Sequence, residues 1–140
     1  MPPISTPVVS AVTAGILIII QMVLVLFVSF VRRRDKQSLG DGGNADLLRA
    51  ARRHGNFAEN AAIFVVALAL FELIDGGRQM TEIYAGIFIL GRLAHAVGLS
   101  MKNTSNLLRV LGTVITIGVC VVVGVRLVMM GLPLVLEAGV

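Results

Sequence analysis

A run of polar and charged side chains at residues 47–60, LLRAARRHGNFAEN, has the composition of a site for a small charged ligand. On an α-helix, at about 100° per residue, six of them share one face: Arg49, Arg52, Arg53, Asn56, Glu59 and Asn60. The apolar run at residues 61–71 follows directly and continues the same helix. Ionisable groups at membrane depth are costly and usually face a bundle interior or a wet cavity. The three arginines of this face therefore predict an anionic ligand.

A second polar group, Arg92 and His95, interrupts an apolar stretch at residues 83–101. Residues three apart on a helix are neighbours on one face. We expect Arg92 to meet a carboxylate, and Glu59 is the acidic residue at comparable membrane depth. Two interpretations stay open for this pair, because it would serve either as a structural ion pair that fixes helix packing or as part of the ligand site.

Several other kinds of site are disfavoured by the residue pattern. The GDGG segment at residues 40–43 lacks the Gly-Lys-Ser/Thr that completes a phosphate-binding P-loop. No paired Cys or His spacing predicts a metal site, and the single cysteine, Cys120, is expected to fill space in an apolar helix. His54 falls off the polar face and is expected at a cap or interface. No basic stripe with interleaved aromatics is present, so nucleic acid is not an expected partner.

The elements that must position these residues are membrane helices. Hydrophobic residues make up 56% of the 140 residues and charged residues only 14%. Since about 20 apolar residues cross the hydrocarbon core, the apolar stretches predict four transmembrane helices, at approximately 7–33, 45–74, 79–101 and 106–136. Short connections, with turns at 75–77 and 103–106, predict an antiparallel bundle. Residues 1–140 would form a single all-α integral membrane domain.

The basic residues predict how this bundle is oriented. Seven of the twelve Lys and Arg lie between residues 32 and 53, so the positive-inside rule places both termini outside the cytoplasm. The uncharged stretch Val8–Val31 is followed directly by Arg32, Arg33 and Arg34, which favours a retained anchor over a cleaved signal peptide. The basic excess also predicts contact with anionic membrane lipids.

Small residues in the later helices predict close helix packing, and the small interior of a four-helix bundle predicts a homo-oligomer. Glycines recur in the third helix, at Gly86 and Gly91, and in the fourth, at Gly112, Gly118 and Gly124. Small residues let membrane helices approach closely. Because four helices enclose little space of their own, a polar cavity is more easily built between subunits than within one.

The segment at residues 52–60, RRHGNFAEN, resembles the R-x-H-x-N-x-x-E-N motif of the MAPEG family, membrane-associated proteins in eicosanoid and glutathione metabolism. The upstream GDGG, the GRLAH segment at residues 91–95 and the four-helix layout add to the resemblance, which is to the small bacterial branch. The family implies a homotrimer of four-helix subunits with glutathione bound between neighbours near the cytoplasmic side. With the orientation that the basic residues predict, the bacterial branch implies an inner membrane protein with both termini periplasmic.

The polar faces, together with what the resemblance adds, define an expected glutathione-binding set. One arginine after the first helix would join it by resemblance. The full set is Arg32, Arg34, Arg49, Arg52, Asn56, Glu59, Asn60, Arg92 and His95. The resemblance also implies that Arg109, near the start of the fourth helix, is the catalytic residue that stabilises the thiolate. Two tyrosines of several family members are replaced here, by Asn60 and Leu99.

The family resemblance implies a glutathione-dependent transferase or peroxidase that acts on lipophilic electrophiles by thiolate attack. Expected partners are further copies of the chain, membrane lipids and a lipophilic small molecule. The alternative is a non-catalytic lipid-binding or scaffold protein of the same family, which the replaced tyrosines favour. Small multidrug exporters also have four helices, but they rely on a carboxylate in the first helix, and residues 8–31 contain none.

Overall fold

The structure, a computed structural model, describes residues 6–75, 77–101 and 106–139. Its helices are α1 (Val8–Arg34), α2 (Ala45–Asp75), α3 (Arg78–Ser100) and α4 (Leu107–Glu137). All four are long and apolar enough to cross a membrane. The predicted helices are confirmed, with ends no more than one residue from the expected bounds. The predicted turns at 75–77 and 103–106 include Gly76 and residues 103–105, which lie outside the described residues.

Consecutive helices run antiparallel. Glu72, near the end of α2, contacts Ser10 at the start of α1, and Arg53, near the start of α2, contacts Ser100 at the end of α3. The helix α2 packs against each of the other three, whereas α1 and α4 make no contact with each other over their described lengths. The bundle is therefore built around α2 and α3, with α1 and α4 at opposite corners.

Aromatic side chains of α2 and α3 form the centre of the core. On α2, Phe57, Phe64 and Phe71 recur every seven residues, so they lie on one helix face. The Phe64 ring stacks on Phe88, with centroids 3.7 Å apart, and Phe71 meets Tyr84 edge-on at 5.4 Å. The remaining buried members come from all four helices: Leu17, Leu68, Ala85, Val119 and Val123. This aromatic row determines which face of α2 turns inward.

A carboxylate from α2 holds the first turn of α1. Buried Glu72 accepts hydrogen bonds from the backbone N–H groups of Val9 (3.0 Å) and Ser10 (2.8 Å) and from the Ser10 hydroxyl (2.6 Å). The N-cap residue of α1, Pro7, makes no side-chain cap hydrogen bond. First-turn N–H groups have no intrahelical partner and form the positive end of the helix dipole. Glu72 therefore supplies both the acceptor and the negative charge that this end of α1 needs.

The helices α3 and α4 approach most closely where both lack side chains. A Cβ atom added to Gly98 would lie 2.8 Å from the Arg109 Cα, and one added to Gly112 would lie 2.8 Å from the His95 Cα. Gly91 lies at the same contact, where an added Cβ would meet the neighbouring helix at 2.9 Å. The predicted packing role is thus confirmed for Gly91 and Gly112, and Gly98 joins them.

The other glycines that the sequence singled out do not take part in this contact. Gly86, Gly118 and Gly124 have no neighbouring atom within 4 Å of an added Cβ. The reason is rotational, because these three positions lie on faces of α3 and α4 that turn away from each other.

We predict that Gly112→Ala destabilises the bundle by about 1–3 kcal/mol, since the new methyl group collides with backbone atoms that cannot move aside easily. Unfolding of detergent-solubilised protein in sodium dodecyl sulfate, followed by circular dichroism, measures this change. Gly118→Ala is the matched control on the same helix and should stay within about 0.5 kcal/mol of the parent protein. Equal losses in the two variants would contradict the close approach of α3 and α4.

Candidate functional site

A cleft of about 620 Å³ opens on one flank of the bundle, between the start of α2, the end of α3 and the start of α4. This cavity is termed the polar cleft. Five residues of the expected glutathione-binding set line it, together with the expected catalytic residue: Arg49, Arg52, Asn56, Glu59 and His95, and Arg109. The structure therefore brings together side chains from three helices, including the polar groups of both sequence segments.

The aromatic row of α2 explains how these side chains are distributed. With Phe57 and Phe64 turned inward, Arg52 and Glu59 lie roughly 130–150° around the helix from the core. Both are exposed on the flank, where they form the outer wall of the polar cleft. Asn56 lies closer to the inward face. The polar face predicted from the sequence thus does not enter the bundle interior as a unit.

Buried Arg92 is held by Asn56. Its Nη2 donates to the backbone carbonyl oxygen of Asn56 (3.0 Å) and to the side-chain Oδ1 of the same residue (2.6 Å). The prediction that Arg92 pairs with the Glu59 carboxylate is wrong, because exposed Glu59 is not within ion-pair distance of Arg92. Asn60, also in the expected set, donates its amide to the Asn56 carbonyl (2.9 Å) and lies outside the cleft lining. Arg92 therefore does not line the cleft itself but positions Asn56, which does.

The α3–α4 contact brings His95 and Arg109 to the inner wall. His95 is 6% exposed, and its Nδ1 has no hydrogen-bond partner among the described residues. Asn106 caps α4 by accepting from the Arg109 backbone N–H (2.9 Å), and its own amide donates to the Gly98 carbonyl (2.7 Å). This clamp sets the first turn of α4 against the end of α3. Arg109 consequently lines the cleft in the first turn of α4, at the positive end of the α4 dipole.

The two expected arginines of α1 lie outside the polar cleft. Arg32 donates to carbonyl oxygens of the loop that follows α1, the shortest bond being 2.9 Å to Gly40. Arg34 donates to both carboxylate oxygens of Asp35, at 2.7 and 3.0 Å. Hydrogen bonds from the Arg34 guanidinium hold the pKa of Asp35 below its ordinary value, so this carboxylate stays charged at neutral pH. Within one chain both arginines are engaged in organising the loop.

Four further lining residues were not in the expected set, namely Leu48, Ala51, Gly55 and Leu99. Ala51 and Gly55 precede Glu59 at four-residue intervals, a spacing that places all three on one helix flank. Because Ala51 has a small side chain and Gly55 has none, these two positions leave the space that the cleft occupies. The sequence marks Leu99 only as the residue that stands where several family members have tyrosine. Because Leu99 lines the cleft, this replacement changes the cleft wall directly.

We expect Asn56→Ala to lower the free energy of unfolding by about 1–3 kcal/mol, because a buried guanidinium loses its side-chain acceptor. Glu59→Gln should change it by less than about 0.5 kcal/mol, since Glu59 is exposed and does not pair with Arg92. Sodium dodecyl sulfate unfolding of both variants provides the comparison. A Glu59→Gln loss as large as that of Asn56→Ala would restore the ion-pair interpretation.

The chain is similar to known proteins over most of its length. The statistical description of the MAPEG family matches residues 10–129. Inner membrane protein YecN of Escherichia coli (strain K12) is 32% identical over 68 residues, which cover 49% of this chain and 52% of YecN. YecN of Escherichia coli O6:H1 (strain CFT073) matches with the same values. The match thus spans about half the length of these curated relatives.

No solved structure matches the chain significantly. The family match, by contrast, extends from the first turn of α1 to the last third of α4 and includes every residue that lines the polar cleft. The matched segment therefore takes in all or most of each of the four helices. On this match, which covers far more than half of its residues, the chain belongs to the MAPEG family.

Proposed function

We propose that the polar cleft binds glutathione and that the protein is a membrane-bound glutathione-dependent transferase or peroxidase. The observation that carries the proposal is the convergence of three arginines, one carboxylate, one amide and one imidazole on a single cleft of about 620 Å³. This set is complementary to a ligand that has two carboxylates, one ammonium group and one thiol.

Each group of the cleft has a chemical counterpart in the tripeptide. Arginine guanidinium groups match carboxylates through paired N–H donors, and Arg49 and Arg52 present two of them. Glu59 accepts from the ammonium group. Asn56 donates its amide N–H to the ligand, because Arg92 already occupies its Oδ1. His95 also lines the cleft, and its buried Nδ1 has no hydrogen-bond partner among the described residues.

The thiolate forms at the α4 side of the cleft. A thiol with a pKa near 8.5 becomes nucleophilic when a neighbouring cation stabilises the anion. Arg109 and the first turn of α4 supply that positive charge. The thiol proton passes to water in the open cleft, and the sulfur electron pair forms the new bond to carbon. The displaced pair moves to the leaving group or, in an addition, to the activating group of the electrophile.

With a lipid hydroperoxide the thiolate attacks oxygen instead. The O–O bond breaks, the alkoxide takes up a proton and leaves as the alcohol, and glutathione is oxidised to its sulfenic acid. A second glutathione then forms the disulfide and releases water. Leu48 and Leu99 in the lining offer an apolar surface to such lipophilic substrates.

A second copy of the chain would complete the cleft, and we propose the homotrimer that the family resemblance implies. Arg52 and Glu59 stand exposed, and the same flank of α2 continues with exposed Ile63, Val66 and Leu70 at helical spacing. Ionisable side chains at membrane depth usually face protein or a wet cavity, and not lipid, so the flank that carries Arg52 and Glu59 is where a second subunit would pack.

A groove between α1 and α2 supports the same assembly. It is lined by small residues of α2, Ala58, Ala61 and Ala62, and by Gln21, whose buried Oε1 has no hydrogen-bond partner within the described ranges. Small residues and unpaired polar groups are typical of contacts between membrane helices. The surplus of arginines near the polar cleft would place that end in the cytoplasm and both termini in the periplasm. The name of YecN supports the inner membrane as the location.

A non-catalytic role in lipid binding or scaffolding is the second candidate function. One observation favours it, because Leu99 places a hydrocarbon side chain in the cleft where several family members have a tyrosine hydroxyl. The two candidates differ in whether glutathione binds at all.

Isothermal titration calorimetry on detergent-purified protein should show saturable glutathione binding. We predict that Arg52→Ala and Glu59→Gln each weaken it about tenfold or more, equivalent to about 1.4 kcal/mol, because each removes one charged partner of the ligand. Arg78→Ala, a charge loss at the opposite end of the bundle, is the control and should leave binding unchanged. Absence of binding up to millimolar glutathione would overturn the transferase proposal and leave the second candidate.

Leu99→Tyr should tighten glutathione binding about twofold to tenfold, since it adds a hydroxyl donor to the cleft and a net hydrogen bond contributes about 0.5–1.5 kcal/mol. Leu99→Phe is the matched control, because it adds the ring without the hydroxyl, and it should bring no gain. The same calorimetric titration measures both variants. Equal gains in the two would assign the effect to packing and contradict a hydroxyl contact.

A further inference from the structure

A second, separate cleft lies at the same end of the bundle, between α1, the start of α2 and the end of α3. Its volume is about 270 Å³, and its polar lining is Arg34, Asp46, Arg49, Arg53 and Ser100, with the Phe27 ring at one side. This cavity is termed the basic cleft. We propose that it binds the phosphate group of an anionic phospholipid, a role that does not depend on the proposed enzyme function.

The arginines of the basic cleft are not equivalent. Arg34 is paired with Asp35 and lies 3.9 Å from an Asp46 oxygen, and Arg49 donates a hydrogen bond to Asp46. Arg53 has no carboxylate within ion-pair distance in the described part of the chain. The cleft therefore contains one positive charge that the protein itself does not compensate.

Arg53 is also held in a fixed orientation. Its guanidinium carbon lies 4.6 Å from the centroid of the Phe27 ring, a cation–π geometry. One Nη donates to the Ser100 hydroxyl, and the buried Nε has no hydrogen-bond partner in the described part of the chain. A guanidinium held in this way keeps further N–H donors for a ligand in the cleft. A phosphate group matches its planar geometry better than water does.

The surroundings favour a lipid as the source of the phosphate. Arg53 lies eight residues into α2, hence about 12 Å from the helix start, near the level where the polar end gives way to the apolar bundle. From Phe27, the exposed side chains of Val23 and Ile19 follow at four-residue intervals along the lipid-facing side of α1. A phosphate at Arg53 would let an acyl chain run along this apolar strip. The high density of basic residues at this end attracts anionic lipids in general.

The basic cleft is distinct from the proposed glutathione site. Only Arg49 and Leu99 line both cavities, and they form the wall between them. Neither Arg53 nor Phe27 lines the polar cleft. A change at Arg53 therefore tests the lipid site without touching the groups assigned to glutathione.

Native mass spectrometry of the full chain, released from detergent micelles doped with phosphatidylglycerol or phosphatidylcholine, tests the proposal. We expect bound phosphatidylglycerol in preference to phosphatidylcholine, and about tenfold weaker retention in Arg53→Gln, equivalent to about 1.4 kcal/mol. The control is Arg33→Gln, an equal charge loss at an exposed residue of the same end, which should stay within about twofold because exposed charges contribute little. Phe27→Leu removes the ring beneath Arg53 without changing any charge and should also weaken retention.

Three results would overturn the proposal. Equal retention of the two lipids would remove the preference for an anionic headgroup. Equal losses in Arg53→Gln and Arg33→Gln would show general electrostatic attraction in place of a site. Displacement of phosphatidylglycerol by millimolar inorganic phosphate would make the ligand a free phosphate ion. If Arg53→Gln does not fold, Phe27→Leu decides the matter, and unchanged retention in that variant would reject the site.

Discussion

The hydrogen bonds between Arg92 and Asn56 are the interaction on which the polar end of this bundle depends. They join α2 to α3 at the level where the aromatic core begins, beside Phe57. A buried guanidinium needs acceptors, and the backbone carbonyl and side-chain amide of one residue provide two of them. This requirement locks α2 in the rotation that the aromatic row of Phe57, Phe64 and Phe71 sets. Once that rotation is set, Arg52 and Glu59 must lie on the outer flank, where a ligand or a second copy can reach them.

The opposite wall of the polar cleft depends on the absence of side chains. Gly98 and Gly112 let α4 lie so close to α3 that the Arg109 backbone contacts the end of α3. With a larger residue at either position, α4 would move away and take the positive end of its dipole with it. The catalytic assignment proposed for Arg109 therefore rests on helix packing as much as on the arginine itself. The same end of α3 provides Leu99, which separates the two clefts.

Much of this organisation could be predicted from the sequence, because long apolar stretches determine membrane helices almost by themselves. The sequence also predicts the polar residues that line the cleft. A helical wheel, however, gives only relative angles, and the row Phe57, Phe64 and Phe71 decides which angle faces inward. The partner of Arg92 could not be chosen by membrane depth, since Asn56 and Glu59 differ by a single turn and only the rotation of α2 brings Asn56, and not Glu59, against Arg92. Nor could the contact of Arg53 with Ser100, 47 residues away, be foreseen from local spacing.

The carboxylate of Glu72 has a consequence for how the chain is made. Glu72 accepts hydrogen bonds from Ser10 and Val9, which precede it in the chain by 62 and 63 residues. These donors therefore leave the ribosome long before their acceptor exists. Until α2 has crossed the bilayer, the first turn of α1 must find its hydrogen bonds in water or among lipid headgroups, because hydrocarbon offers none. The hydrogen bonds of the first turn of α1 are therefore complete only when α2 is in place. A ribosome stalled between the two helices would hold an α1 whose first turn still lacks its carboxylate.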